Sequence, residues 1–183
     1  MLGQIREAVS GAQMVLVGIG AELAPDRDKA GVWTGERLLE AYKCLAKLLE
    51  GKNYFVLTLC SDGLIFESGL QADRIVAPSG EGYSEEDWQR YTGWLQHTLN
   101  RKLLVLELGA GMEAPEVIRF AFEKVVYFNQ KAYLYRVHSR LYQLTEELKG
   151  RGCSVALHPA ALLLEGTKES EEAEESGQDD GNH

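Results

Sequence analysis

The sequence predicts an α/β protein, a three-layer open parallel sheet with helices on both faces. Two observations carry this. Short, nearly unbroken apolar runs rich in β-branched residues recur along the chain, as strands read when both sheet faces are covered. Between them, apolar residues recur three and four positions apart, the spacing of an amphipathic helix. Strand alternating with helix over 183 residues is one domain's worth of parallel sheet.

Taken in order, the N-terminal residues read as a polar helix start. Met14 to Val17 is the first strand. Gly35 to Leu49 places Leu38, Leu39, Tyr42, Leu45, Ala46 and Leu49 at helical spacing, and Gly51 stops the helix. Tyr54 to Leu57 is the second strand, and Ile75-Val76 a shorter one. Ser84, followed three residues later by Asp87, opens a helix through Trp88, Tyr91, Leu95 and Leu99. Leu103 to Leu106 is the next strand. Ala114-Pro115-Glu116 starts a helix through Ile118, Phe122 and Val125, with proline in its favoured early place. Ala132 to Val137 and Ser154 to Leu157 complete the strands. Leu141 to Lys149 reads as a surface helix closed by Gly150.

Composition narrows the function classes. Lys and Arg number 19 against 28 Asp and Glu, a net charge of −9, which argues against a general nucleic-acid binder. No apolar run reaches the roughly 18 residues a membrane span needs, and the N-terminus lacks a basic, apolar signal segment. Cys44, Cys60 and Cys153 are scattered, so neither a disulfide framework nor a zinc knuckle is expected. A reduced, cytoplasmic protein is the expectation.

The charge is uneven. From position 166 to 183, seven acidic residues stand against Lys168 alone, two thirds of the net charge. That segment offers almost no apolar surface to offset the entropy of ordering. The expected organisation is therefore a folded domain over 1–165 and an acidic, solvated tail over 166–183.

In an open α/β sheet the ligand crevice lies beyond the carboxyl ends of the strands. After the first strand comes Gly18-Ile19-Gly20-Ala21-Glu22. Its glycines allow either a close backbone approach to a pyrophosphate or simply a tight strand-to-helix turn. Thr58-Leu59-Cys60-Ser61-Asp62 follows the second strand. Glu107-Leu108-Gly109-Ala110-Gly111 forms a second glycine-rich edge. Two such edges on one sheet favour a dinucleotide or ADP-ribose site.

Several other residues bear on that site. Glu22 is awkward beside a pyrophosphate, since like charges repel; Arg27, Arg37 and Arg119 could offset it if they face the crevice. Glu107 at the end of an apolar strand needs a partner, either backbone amides or ribose hydroxyls. Cys60 reads as a small buried hydrophobe rather than a reactive thiol. His97 and His158 lack partners at metal-ligand spacing, so no metal site is expected.

These residues carry a family resemblance. Lys52-Asn53-Tyr54-Phe55-Val56-Leu57-Thr58 followed by Asp62 resembles a sirtuin segment. So does Leu104-Val105-Leu106-Glu107-Leu108-Gly109-Ala110-Gly111 with Pro115, Ile118-Arg119, Phe122 and Tyr127. Thr34-Gly35-Glu36-Arg37 resembles the piece after the family's glycine loop. The chain is most similar to the macrodomain-linked class of microbial sirtuins. The resemblance implies a Rossmann-like, NAD-binding domain of the sirtuin or DHS type. In it Gly18, Gly20 and Ala21 would meet the pyrophosphate, and Thr58 would belong to the cofactor site. Gly109 and Gly111 would lie along the adenosine, Asp62 would face the nicotinamide pocket, and His138 and Ser139 would stand by the adenine ribose.

The departures are equally informative. The family's helical module and four-cysteine zinc ribbon have no counterpart here, which removes a wall of its acyl-lysine cleft. The positioning Asn-x-Asp reads Cys60-Ser61-Asp62, and the catalytic base position reads Ser79-Gly80. A serine without a partner is no general base near neutral pH. No catalytic residue is therefore assigned. The expected function is binding of NAD or ADP-ribose without lysine deacylation. The rivals are an NAD-consuming enzyme completed by a protein partner (an ADP-ribosyl transferase or NAD hydrolase) and an interaction module that has lost its ligand.

Overall fold

The computed structural model describes residues 1–167; the acidic stretch from 168 onward lies outside the described residues. Six strands form one parallel sheet: β1 (Met14–Ile19), β2 (Asn53–Thr58), β3 (Ile75–Val76), β4 (Leu103–Leu108), β5 (Ala132–Val137) and β6 (Gly152–Val155). Their spatial order is β3-β2-β1-β4-β5-β6, with every pairing parallel. The chain winds outward from β1 to β3, returns, and winds the other way from β4. That reversal puts a crevice between the carboxyl ends of β1 and β4.

Alternation along the strands sorts the core into two layers. Val15, Val17 and Ile19 of β1 face the side covered by α1 (Leu2–Gly11), α2 (Gly35–Leu48) and a last helix, α5, over 159–167. Met14 and Leu16 face the opposite side, where α3 (Glu85–Gln96) and α4 (Arg119–Phe128) bring Tyr91, Phe122 and Val126. All six β1 residues are buried, which explains why that strand reads as an unbroken apolar run.

Local signals set the helix starts. The Thr34 hydroxyl accepts the Arg37 amide at the head of α2. Ser84 and Asp87 form the reciprocal cap of α3, each side chain accepting the other's backbone amide.

Three expectations need correction. The stretch from Leu141 to Lys149 is not a helix and contains only a short 3₁₀ turn, Glu146–Leu148. The carbonyls of Leu141 and Gln143 are instead held by the Arg119 and Arg136 guanidiniums, so tertiary bonds override the periodic pattern. Helix α4 begins only at Arg119, because Ala114 adopts φ +44° and the Phe120 amide reaches back to the Pro115 carbonyl. Leu99 lies past the end of α3 and is exposed. Helix α5, which buries Leu162 and Leu163 against α1 and α2, adds an element beyond those the sequence predicts.

Candidate functional site at the carboxyl edge of the sheet

The first glycine edge is built by close packing. Gly18 lies within β1, and a Cβ there would come 2.5 Å from the Phe122 ring and 2.7 Å from Ile118. Its missing side chain lets α4 settle on the sheet. Gly20 has ordinary extended backbone, so its conformation does not demand glycine. Space does: a Cβ on Gly20 would stand 2.2 Å from the Ala110 Cα and the Gly109 carbonyl oxygen.

The two glycine edges therefore lie against each other. The Gly20 amide donates to the Leu108 carbonyl (2.8 Å), the Glu22 amide to the Gly109 carbonyl (3.2 Å), and the Gly109 amide to the Val137 carbonyl (2.8 Å). Gly109 has φ +70°, and a Cβ on it would sit 2.7 Å from the Glu22 Cβ. Both conformation and space require glycine there.

Glu22 then reaches across β4 to the segment after β5. The Ser139 amide donates to both Glu22 carboxylate oxygens at 3.2 Å, and the Ser139 hydroxyl donates to Oε1. His138 is buried, with Nδ1 accepting the amides of Arg140 (3.1 Å) and Leu141 (3.0 Å). That ring atom lies 3.4 Å from Glu22 Oε1. On the other flank His158 Nε2 lies 3.1 Å from the Glu22 carbonyl, while its Nδ1 accepts the Ala160 amide. The His158 ring stacks on Trp33 at 4.4 Å, and the Arg37 guanidinium lies 4.7 Å over the same indole. Burial pushes both imidazole pKa values down, with Glu22 opposing the shift in each.

Two clefts flank this arrangement. One, of about 430 Å³, is walled by Ala21, Cys60, Ser61, Asp62 and Ser79. The other, of about 590 Å³, is walled by Glu22, Lys29, Trp33, Ser139 and Arg140. Arg27 lines both and is paired two-pronged with Glu113, Nη1 to Oε1 at 2.8 Å and Nη2 to Oε2 at 3.0 Å.

The residues singled out from sequence thus divide. Asp62 is exposed on the smaller cleft, where Oδ1 also accepts the Leu64 amide at 2.9 Å. Ala21 lines the same cleft. Thr58 is fully buried, its hydroxyl accepting the Cys60 amide. Gly111 lies near His138, where a Cβ would be 3.5 Å from the ring. The Cys60 thiol is buried, bonded to the Gly20 carbonyl at 3.5 Å and pushed up to about 11 by burial, consistent with a packing role.

Glu107 is held by neither amides nor hydroxyls. Arg136 grips it with Nε to Oε1 at 2.8 Å and Nη2 to Oε2 at 3.1 Å. Of the three arginines expected to offset Glu22, only Arg27 lines the clefts. Arg119 is buried beneath the β4 loop, donating to the Ala110 carbonyl. The bond between Glu22 and Ser139 was not anticipated, because nothing local links residues separated by 117 positions. Among the described residues no group of three or more His, Cys, Asp or Glu could hold a metal ion, and no helix is long and apolar enough to cross a membrane.

No family model and no curated protein sequence matches the chain. Solved structures do. One, from work on the mechanism and regulation of Sir2 enzymes, aligns with a TM-score of 0.56 at 11% identity, over 94% of this chain and 98% of the other. A triple mutant of a Sir2 homologue in complex with 2′-O-acetyl ADP-ribose gives 0.57 at 10% identity, over 93% and 96%. Sir2Af2 bound to a myristoylated histone peptide gives 0.53 at 12% identity, over 96% and 100%. With its six parallel strands in this order, the chain has the sirtuin-like Rossmann fold.

Proposed function

We propose that the chain binds an ADP-ribose-type nucleotide, NAD or ADP-ribose, across the carboxyl edge of the sheet and does not deacylate lysine. The observation that carries the reading is the pair of clefts meeting at Arg27. A ligand of two nucleoside-like halves joined by a pyrophosphate matches two clefts with a cation between them. The Arg27–Glu113 pair is half exposed on both sides, so it is weak enough for a pyrophosphate to displace. The Sir2 homologue complex with 2′-O-acetyl ADP-ribose supports the same ligand class.

The deacylation half rests on the smaller cleft. Ser79, at the base position, is in its wall, and no imidazole lines it. Asp62 is present, but Cys60 and Ser61 replace the positioning amide. Loss of a general base alone costs about 10²–10⁴ in rate. Incubation with NAD and acetyl- or lipoyl-lysine peptides should give no deacylated product; NAD consumed one for one with product would refute this half.

A second reading, an interaction module without ligand, is favoured by one observation. The amides of Gly20, Glu22 and Gly109 are already bonded within the protein, so the backbone cradle expected from sequence is in use. Titration calorimetry decides between the two. Saturable binding of NAD or ADP-ribose, weakened at least about tenfold by Arg27→Ala, supports the nucleotide site. No heat at millimolar ligand supports the interaction module.

A further inference from the structure

Helix α4 is apolar on nearly every side. Its sequence, Arg-Phe-Ala-Phe-Glu-Lys-Val-Val-Tyr-Phe, holds only three charged residues, and a helix apolar all round is normally covered all round. Only one face is covered here. Phe122 and Val126, with Ile118 just ahead of them, are buried against the sheet. On the outer face Phe120, Tyr127 and Phe128 are 43%, 56% and 69% exposed, and the last two rings meet edge to face at 5.3 Å. The apolar surface continues past both ends of the helix. The Asn129 side chain holds the carbonyls of Thr98 (2.9 Å) and Arg101 (3.2 Å), which brings exposed Leu99 to the tail. At the head Arg119 holds the Ala110 carbonyl, two residues before exposed Met112. Phe128, Leu99, Tyr127 and Met112 are the four most exposed large apolar side chains among the described residues. All four lie at this helix.

Area and charge together name the occupant. With about 200 Å² to a whole aromatic side chain, the three α4 rings still show roughly 340 Å², as much as the largest apolar patch of an ordinary monomer. That is about two fifths of the roughly 800 Å² each partner buries in a stable interface, before Leu99, Met112 and a polar rim are added. The chain's own segment from 168 onward offers no match, since Ala173 is its only apolar side chain. The two ends of α4 differ in charge. Glu116 stands at the head, and Arg101, Lys102 and Lys131 stand at the tail, none with a side-chain partner among the described residues. A second copy laid antiparallel sets each acidic head on the other's basic tail, at both ends of the contact. Phe120, Lys124 and Phe128, spaced four apart, form the ridge such packing uses. Phe120 then meets the partner subunit's Phe128. Lys124 falls at the two-fold axis, where its stem packs and its ammonium turns out to water.

We propose that the outer face of α4 is where two copies of this chain associate, packed antiparallel about a two-fold axis with Phe128 as the anchor. The inference stands apart from the nucleotide reading, because no residue of α4 lines either cleft.

The test is sedimentation equilibrium on the full chain at concentrations up to about 100 μM, where even a weak interface of standard size forms. Wild type should appear as a particle of twice the 20.4 kDa chain mass. Phe128→Glu should weaken the dimer at least about thirtyfold, the loss expected of a central aromatic anchor. Its circular dichroism should match wild type, because the ring is mostly exposed in the single chain. Glu116→Lys and Lys131→Glu should each weaken the dimer at least about fivefold by setting like charges together. The double variant, which exchanges the two charges, should return to within about threefold of wild type. A wild-type chain that stays monomeric at every concentration would overturn the proposal. So would a dimer that Phe128→Glu leaves intact, since its interface would lie on another face. Loss of the dimer in Phe128→Glu without rescue by the charge exchange would overturn the antiparallel arrangement.

Discussion

Glu107 and Arg136 face each other across β4 and β5 and close a two-pronged ion pair in the middle of the protein. Their side chains are 0% and 1% exposed. Arg136 also reaches Glu123 of α4 at 2.8 Å and the Gln143 carbonyl at 3.0 Å. Arg119 lies 3.7 Å from Glu107 and holds the carbonyls of Ala110 and Leu141. This network ties two strands, one helix and both loops behind the crevice into one unit.

Breaking that pair should be costly. Arg136→Met leaves Glu107 buried with its main partner gone, a change that typically costs about 3–5 kcal/mol. Urea denaturation should show a loss of that size. A loss under about 1 kcal/mol would mean the carboxylate finds water or another donor. The double variant Arg136→Met with Glu107→Leu should recover much of the loss, since an apolar pair of similar volume is often tolerated.

The glycines should behave by their surroundings rather than by motif. Gly20→Val must push into the Gly109–Ala110 backbone and should destabilise the fold by about 1–3 kcal/mol or more, with or without nucleotide. Gly93 lies inside α3 with nothing within 4 Å of a Cβ. Gly93→Ala should therefore stabilise by about 0.5–1 kcal/mol. Melting curves of the two variants should move in opposite directions.

Stability should fall as pH drops below the ordinary histidine range, near 6.5. His138 and His158 both have depressed pKa values, chiefly from burial. The unfolded chain then binds more protons than the folded one, so stability rises with pH through this window. The contribution is complete above about 6.5 and is lost as the pH falls toward the folded values. Protonating His138 at Nδ1 would also forfeit the Arg140 and Leu141 amide bonds. Thermal melts from pH 7.5 down to 5.5 should show a shallower decline for His138→Gln and His158→Gln than for wild type. Identical slopes would remove the histidines from the account.

Much of this protein was legible in its sequence because the information is local. Unbroken apolar runs gave the buried parallel strands, three- and four-residue spacing gave α2 and α3, and Ser84 with Asp87 marked a helix cap. The glycine-rich edges were also visible, since the residues after each strand are fixed by where the strand ends. What those glycines do was not. Gly18, Gly20 and Gly109 are bare because Phe122, the Ala110 backbone and Glu22 occupy the space, and those neighbours come from other parts of the chain.

The partners of charged residues were equally hidden. Glu107 was identifiable as a carboxylate needing a reason, but its reason is Arg136, 29 residues away, and strand register alone brings the two together. The same guanidiniums keep the segment after Leu141 out of the helix its spacing suggests, because they take the carbonyls a helix would have used. Sequence by itself determined the layers and the edge at which a site could lie, since burial and turn formation act on neighbours in the chain. Tertiary structure alone decided which side chains close that edge, because a hydrogen bond or ion pair forms only once folding has brought its two ends within about 3 Å.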